Sequence, residues 1–349
     1  MSRDLESLAP DEARRLYLDA RRDELTEDTL DGQDYRLRAF VAWCEEESIT
    51  NLNSLSGRDL YQYRVWRREG GYSGEELENV TLRGDLATIR AFLRFCGDID
   101  AVDTELFTQV PLPQVSHGGD VSETTLDPDR AKSILEYLSR YKYANRTHVV
   151  LLVLWNTGCR ISALRALDLE DLDLDGERPN GNGPAIHFVH RPDEGTPLKN
   201  AEKSDRWNAI SGYVAGVIRD YIDGPREDVT DDEGRQPLVT TREGRISRST
   251  VRNTLYRITR PCWRGERCPH GEDPDDCVAT EHGRESKCPS ARSPHDVRSG
   301  RVTGYRLQKV PRVVVSDRMD VSEEILDKHY DRRSERQRAA QRREHLEGL

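Results

Sequence analysis

Asn156-Thr157-Gly158-Cys159-Arg160-Ile161-Ser162-Ala163-Leu164-Arg165-Ala166-Leu167 follows directly on the most apolar run of the chain, Val149 to Trp155 (VVLLVLW). The run is far shorter than the roughly 18–20 apolar residues a membrane span needs, so it is read as a buried helix. Thr-Gly ends that helix, and Arg160 then stands at the mouth of the next one. Backbone N–H groups at a helix start have no partners within the helix and favour an anion, so an arginine held there suits a phosphate. A helix-turn-helix corner with a surface arginine explains the same residues equally well.

Outward from this corner the chain reads as mainly α, with a small antiparallel β-sheet. On the N-terminal side, helices are expected over Asp127 to Tyr141 and Asn145 to Thr157. On the C-terminal side, a Gly/Asn/Pro-rich stretch leads into a hairpin of Ala185 to His190 (AIHFVH) with Arg206 to Ile210. Helices follow over Ile246 to Thr259, from about Pro294, and from about Val321. Asp320 with Glu323 resembles a capping box for the last.

Gln109 to Thr125 (QVPLPQVSHGGDVSETT) has the Pro, Gly and small polar residues of a connection. Three parts are therefore expected: a helical domain over 1–115, a linker over 116–126, and a second domain over 127–349. Within the first, Tyr35, Leu37, Phe40, Val41 and Cys44 share a helical face. A second helix is expected over Ser56 to Arg68 and a third over Thr81 to Cys96, with Leu82, Leu86, Ile89, Leu93 and Cys96 as its apolar stripe. Arginines interleave with aromatics (Tyr61, Tyr63, Arg64, Trp66, Arg67, Arg68), a composition able to grip a DNA backbone or simply to form a solvated face.

The charge balance, 64 acids against 53 bases for a net charge of −11, is unlike that of most nucleic-acid proteins. Only seven of the bases are lysines. An acidic, lysine-poor surface is one way of staying hydrated in concentrated salt, and arginine is the better bidentate phosphate ligand. The acidic start MSRDLESLAPDE has no apolar core of a secretory signal, so a cytoplasmic protein without a membrane segment is expected.

Two further motifs are weak singly. Ser293-Pro294-His295-Asp296-Val297-Arg298 opens a helix with proline in its first turn, and His295 and Arg298 share one face. Such a pair can bind a phosphate and assist proton transfer, but HxxR is a common sequence. Tyr330 follows on the last helix, where a packed core aromatic would be ordinary.

Taken in order and spacing, these residues resemble the tyrosine recombinase (phage integrase, Xer-type) family, most specifically integrases of halophilic archaea. The family pattern is an arginine after a Gly break, a lysine on a β-hairpin, HxxR, and a tyrosine about thirty residues later. Arg160, Lys199, His295, Arg298 and Tyr330 match it. The resemblance implies a helical core-binding (SAM-like) domain followed by an α+β catalytic domain, acting on double-stranded DNA as a homo-tetramer, with accessory proteins unspecified.

It further implies that Tyr330 attacks a backbone phosphorus while Arg160 and Arg298 clamp the non-bridging oxygens. His295 orients the phosphate and manages the tyrosine proton, and Lys199 protonates the leaving 5′-oxygen, with Lys203 as its competitor. No cofactor is needed for that chemistry. The sequence departs from the family twice. The acid usual three residues after the first arginine is replaced by Ala163. The His or Trp usual about nine residues before the tyrosine has no counterpart in Ser316 to Val321, where Arg318 is the stand-in. These departures favour a rival reading, a non-catalytic DNA-binding derivative, and relaxation of supercoils by the same chemistry is a third.

Of seven cysteines, Cys44, Cys96 and Cys159 sit in apolar helical contexts and read as small buried hydrophobes. Cys262-x5-Cys268-x8-Cys277-x10-Cys288 falls in a Pro/Gly/charge-rich loop over 260–290 that has little to bury. Four thiolates suit one structural tetrahedral Zn²⁺, with His270 and His282 as substitutes and scattered reduced thiols as the alternative. The basic run Arg332 to Arg343 reads as a DNA contact, a protomer contact or a solvated helix end.

Overall fold

The structure, a computed structural model, describes residues 5–114, 124–177, 182–326 and 336. It divides into two units, Met1–Val121 and Ser122–Leu349. Among the described residues no helix is long and apolar enough to cross a membrane.

The first unit is helical: α1 (Pro10–Ala20), α2 (Glu27–Glu46), α3 (Gly57–Arg68) and α4 (Asn79–Asp98). Its core is aromatic. Tyr17 meets Phe92 edge-on at 5.6 Å, and Phe40 meets Tyr63 edge-on at 5.1 Å, packings that exploit the ring quadrupoles. The expected stripe of α4 is buried throughout. On α2, Leu37, Phe40 and Cys44 of the expected face are buried, Val41 is half-buried, and Tyr35 is exposed and packs on Tyr72. Two residues of the arginine-aromatic interleaving of α3 depart from a surface role, while Tyr61 and Arg68 are exposed. Tyr63 and Arg67 are buried, and the Arg67 guanidinium donates to Asp85 at 2.9 Å and to the Gly71 carbonyl at 2.8 Å. A buried arginine so engaged is internal scaffolding. Burial pushes the Cys44 and Cys96 thiols up to about 12, so both are unionised packing groups.

The second unit is mainly α with small antiparallel sheets. α5 (Pro128–Tyr141) and α6 (Arg146–Thr157) begin at Asp127 and Asn145, whose side chains accept backbone N–H groups of the first turn. After α7 (Ile161–Ala166) comes a three-stranded sheet, β1 (Leu172–Asp173), β2 (Ala185–Phe188) and β3 (Arg206–Ala209), in the order β1-β2-β3. Ile186 pairs with Asn208 and His187 with Trp207. Ile186 and Phe188 face the core, while the His187 and Trp207 rings stack at 4.3 Å on the outer face.

α8 (Gly212–Asp223) follows, then the two-stranded β4 (Thr240–Thr241) and β5 (Gly244–Arg245). The chain continues through α9 (Arg248–Ile258), α10 (Pro294–Leu307), α11 (Arg312–Met319) and the turn α12 (Glu323–Ile325). The sequence expectations omit α1, α8 and α11. Gly212 and Gly216 weaken the helical signal of α8, and the Val313-Val314-Val315 run of α11 has strand propensity, overridden by packing of Val315 and Met319.

The apolar run at 149–154 is buried on every side within the large core of this unit. Leu126, inside the expected linker, is also core, and its backbone N–H donates to the Asp296 carbonyl at 2.9 Å. α10 approaches so closely there that a Cβ on Gly300 would lie 1.8 Å from the Leu126 carbonyl oxygen. Only glycine fits.

Candidate active site

The α6–α7 corner is built by Gly158. It ends α6 with φ +67°, a left-handed conformation that glycine adopts without steric cost, and a Cβ there would lie 2.3 Å from Met319 Cε. The turn leaves Arg160 as the N-cap residue of α7 with its side chain a quarter exposed. α10 begins at Pro294 behind a capping box, in which Ser293 N–H donates to the Asp296 carboxylate at 2.7 Å and Asp296 N–H to Ser293 Oγ at 3.2 Å. That start leaves His295 exposed in the first turn and carries Arg298, one turn later, into the interior. Arg298 donates to the Gly158 carbonyl at 2.8 Å. The two arginine-bearing motifs therefore meet through the backbone of the corner itself.

A residue outside the expected set lies at the centre. Asp320 ends α11 in the left-handed region at φ 52°, a conformation that Asp tolerates better than most residues. Its Oδ2 accepts from Arg160 Nη1 at 2.5 Å and from Ser204 Oγ at 2.8 Å, and its Oδ1 from Asn200 Nδ2 at 2.8 Å. Its backbone carbonyl accepts from Arg298 Nη2 at 3.4 Å. Burial alone would raise this carboxyl, but hydrogen bonds from Ser204 and Asn200 and the charges of Arg160 and Arg206 outweigh it, holding Asp320 below the ordinary range. The expected Asp320–Glu323 capping box is not formed. Ser322 caps α12 through its side chain, because the Asp320 carboxylate is committed to Arg160.

Lys199 is exposed and lines one crevice with Arg160, Ser162, Ala163, Arg206 and Asp320. Lys203 lies in the short turn Ala201–Ser204 and is also exposed. Both belong to the connection between β2 and β3, which the Asn200 and Ser204 bonds pin to Asp320. Arg318 is otherwise engaged: Nε donates to Tyr305 Oη at 2.7 Å, and Nη2 to the Asn156 side-chain oxygen at 3.0 Å. It ties α11 to α10 and to the end of α6. Arg206 and Asn208 on β3 donate to the Arg318 carbonyl at 3.1 and 2.9 Å, which completes the anchoring of the α11 terminus that presents Asp320. Tyr330, His329 and the run Arg332 to Arg343, apart from an exposed Arg336, lie outside the described residues.

Thus Arg160, Lys199 and Arg298 come together, and His295 stands on the helix that carries Arg298. The residues missed by sequence reasoning are Asp320, Asn200, Ser204 and Arg206. Asp320 meets Arg160 across 160 residues of chain, a pairing that leaves no local signal.

No family model matches the chain. Tyrosine recombinase XerA of Thermococcus kodakarensis is 25% identical over 228 residues, 65% of this chain and 64% of that protein. Tyrosine recombinase XerC of Stutzerimonas stutzeri is 26% identical over 152 residues, 43% of this chain and 48% of that protein. The Tn1549 transposon integrase, solved in complex with a circular intermediate DNA, shares the fold with a TM-score of 0.64 at 15% identity, over 97% of this chain and 99% of that one. The chain resembles tyrosine recombinases in part of its sequence and shares the integrase fold. A lambda integrase dimer bound to a COC′ core site shares the fold with a TM-score of 0.58 at 10% identity, over 96% of this chain and 77% of that one. The matches span less than two thirds of the length of these curated family members.

The cysteine loop is a separate feature of the second unit. Cys262, Cys268, Cys277 and Cys288 are half-buried and line one pocket together with His270; both His270 and His282 are exposed. His270 Nε2 lies 2.8 Å from Ser290 Oγ. Among the described residues no three Cys, His, Asp or Glu side chains gather closely enough to hold a metal ion. As they stand, the thiols share a rim without forming a coordination set. The loop has little apolar content, Ala279 being its one buried apolar residue between 262 and 288, and Arg260 helps hold it by donating to the Ala279 carbonyl.

Proposed function

We propose that this protein is a site-specific DNA recombinase that breaks and rejoins DNA through a covalent bond to Tyr330. The observation that carries the reading is the convergence of Arg160 and Arg298, from distant motifs, on Asp320 beside a crevice that Lys199 also lines. A phosphodiester brought there meets guanidiniums already oriented by protein contacts, and preorganised donors of this kind stabilise the charge that builds on phosphorus during displacement.

The Tyr330 oxygen forms a bond to phosphorus as the bond to the 5′-oxygen breaks. The tyrosine proton passes to a base, for which His295 is placed on the helix of Arg298, and Lys199 gives a proton to the departing 5′-oxygen. The product is a 3′-phosphotyrosyl link and a free 5′-hydroxyl. Its phosphoester bond is conserved, so attack by another 5′-hydroxyl rejoins the strand without ATP. Four protomers on two duplexes would supply the paired cuts, with the action confined to the cell interior.

A nicked suicide duplex, carrying a site that the purified protein selects from a random pool, tests the reading in concentrated salt. A denaturant-resistant adduct in the wild type, lost in Tyr330→Phe, is expected. Selective binding without an adduct would leave the non-catalytic DNA-binding reading, which Ala163 and the lack of a histidine in Ser316–Val321 favour.

Two further parts of the reading rest on separate observations. A structural Zn²⁺ in the cysteine loop is supported by four thiols around one pocket in a segment with little apolar burial, and it requires the loop to close around the ion. Elemental analysis of protein purified without chelator should find one zinc per chain, and none would end the proposal. Adaptation to salt is supported by the net charge of −11 with seven lysines. A chain fully folded and active in dilute buffer would remove it.

A further inference from the structure

We propose that Asp320 is the positioning residue for Arg160, supplying from the end of α11 the carboxylate that Ala163 cannot supply from α7. This inference rests on the reading of Arg160 as a phosphate ligand. An arginine side chain has many rotamers, and a phosphate clamp works only if the guanidinium is already aimed when the substrate arrives. In this chain, Asp320 is the carboxylate that does the aiming.

The geometry gives Asp320 a second task. Its Oδ2 accepts from both Arg160 and Ser204 and its Oδ1 from Asn200, at 2.5 to 2.8 Å. Asn200 directly follows Lys199, so one carboxylate ties the arginine expected to hold the phosphate to the loop expected to deliver the proton. Its carbonyl takes Arg298 as well. The side chain is only 12% exposed and the carboxyl is held below its ordinary range, which favours the charged form. Ala163 lines the same crevice in the first turn of α7, where a carboxylate would be well placed to reach Arg160 and would also complement the helix dipole. The two positions are alternative sources of the same charge, which makes the inference testable by relocation.

The experiment compares wild type, Asp320→Asn, Ala163→Glu and the double variant. Asparagine keeps the size and tolerates the left-handed backbone at 320 while removing the charge. Single-turnover cleavage by Asp320→Asn should fall about 10- to 100-fold with DNA affinity within about threefold of wild type, and Ala163→Glu in the same chain should restore most of the rate. That rescue is something a merely structural role would not produce.

A rate within about twofold of wild type for Asp320→Asn, or no rescue by the relocated acid, would overturn the inference. A faster Asp320→Asn would do so too, because it would show the carboxylate competing with phosphate for Arg160. A readout independent of activity separates this inference from the proposed reaction. Phenylglyoxal labelling, read by peptide mass spectrometry, should rise several-fold at Arg160 in Asp320→Asn and stay constant at the surface arginine Arg242. Unchanged labelling at Arg160 overturns the inference even if the wild type forms no Tyr330 adduct. Increased labelling without any wild-type adduct would keep the pairing, overturn its positioning role, and count against the reaction.

Discussion

The second unit holds two clusters in which arginines surround a carboxylate, and they are built to opposite ends. Around Asp168, Arg245 approaches at 2.5 Å, Arg235 at 3.2 Å and Arg191 at 3.6 Å, and each of these arginines has a further acid of its own. Arg245 and Arg235 also pair with Asp231, and Arg191 with Asp171 at 2.6 Å. Charge is balanced, Asp168 is buried, and the cluster joins the end of α7 to the β2–β3 connection and to β5. Around Asp320, in contrast, the carboxylate takes Arg160, the backbone carbonyl takes Arg298, Arg206 adds a nearby positive charge, and the Arg160 side chain is a quarter exposed. A closed and balanced cluster secures the fold. The proposed function assigns phosphate to the second cluster, whose Arg160 is partly exposed.

The comparison breaks if the two clusters respond alike to mutation. The largest effect is expected for Asp168→Ala, which leaves Arg245 and Arg235 to share Asp231 and should cost about 3–5 kcal/mol of folding stability by denaturant titration. Cleavage per folded molecule should survive it. Next, Arg160→Ala should lower the single-turnover cleavage rate by about 10²–10³-fold, the usual cost of losing one preorganised donor. Its midpoint of unfolding should stay near that of wild type, since the residue is partly exposed and serves the crevice. If Arg160→Ala unfolds the protein and Asp168→Ala silences it while folded, the assignment of roles is reversed.

A third effect, about as large as the Arg160 change but confined to acid, sharpens the contrast. His148, fully buried on α6, accepts from the Ala144 N–H through Nδ1, and burial lowers it to about 4. Because the folded value lies below the unfolded one, near 6.5, the unfolded chain binds the extra proton between them. Stability is therefore complete above about pH 6.5 and falls as pH drops towards 4, by about 3 kcal/mol at most. Asp320, held low, keeps its contribution above the unfolded carboxyl value near 4 and loses it only as pH falls through its own lower value. The His148 contribution thus falls between pH 6.5 and 4, above the window in which the Asp320 cluster titrates. His148→Gln should flatten this part of the acid limb, and an unchanged limb would assign it elsewhere.

What could be read locally in the sequence follows from short-range physics. The helix starts at Asp127, Asn145 and Ser293 were visible because a short polar side chain satisfies N–H groups two or three residues away. The Thr-Gly break at Gly158 was visible because a left-handed residue at a helix end asks for glycine. The pairing of Ala185–Phe188 with Arg206–Ala209 showed in the alternation of their side chains. α11 did not, because a run of valines favours a strand until Val315 and Met319 find a core to bury in. Arg67 was misjudged for a similar reason: nothing near it in sequence announces Asp85 as its partner.

The site divides along the same line. The resemblance of their order and spacing to the tyrosine recombinase pattern nominated Arg160, Lys199, His295, Arg298 and Tyr330. The tertiary structure decided that Arg298 meets the carbonyl of Gly158, that Arg318 is taken up by Tyr305 and Asn156, and that Asp320 answers Arg160. A charge finds its partner through space, at a few ångströms, and the chain distance between them can be any number of residues. The sequence by itself determined which chemical groups were available, and only the folded chain decided which carboxylate would hold which arginine.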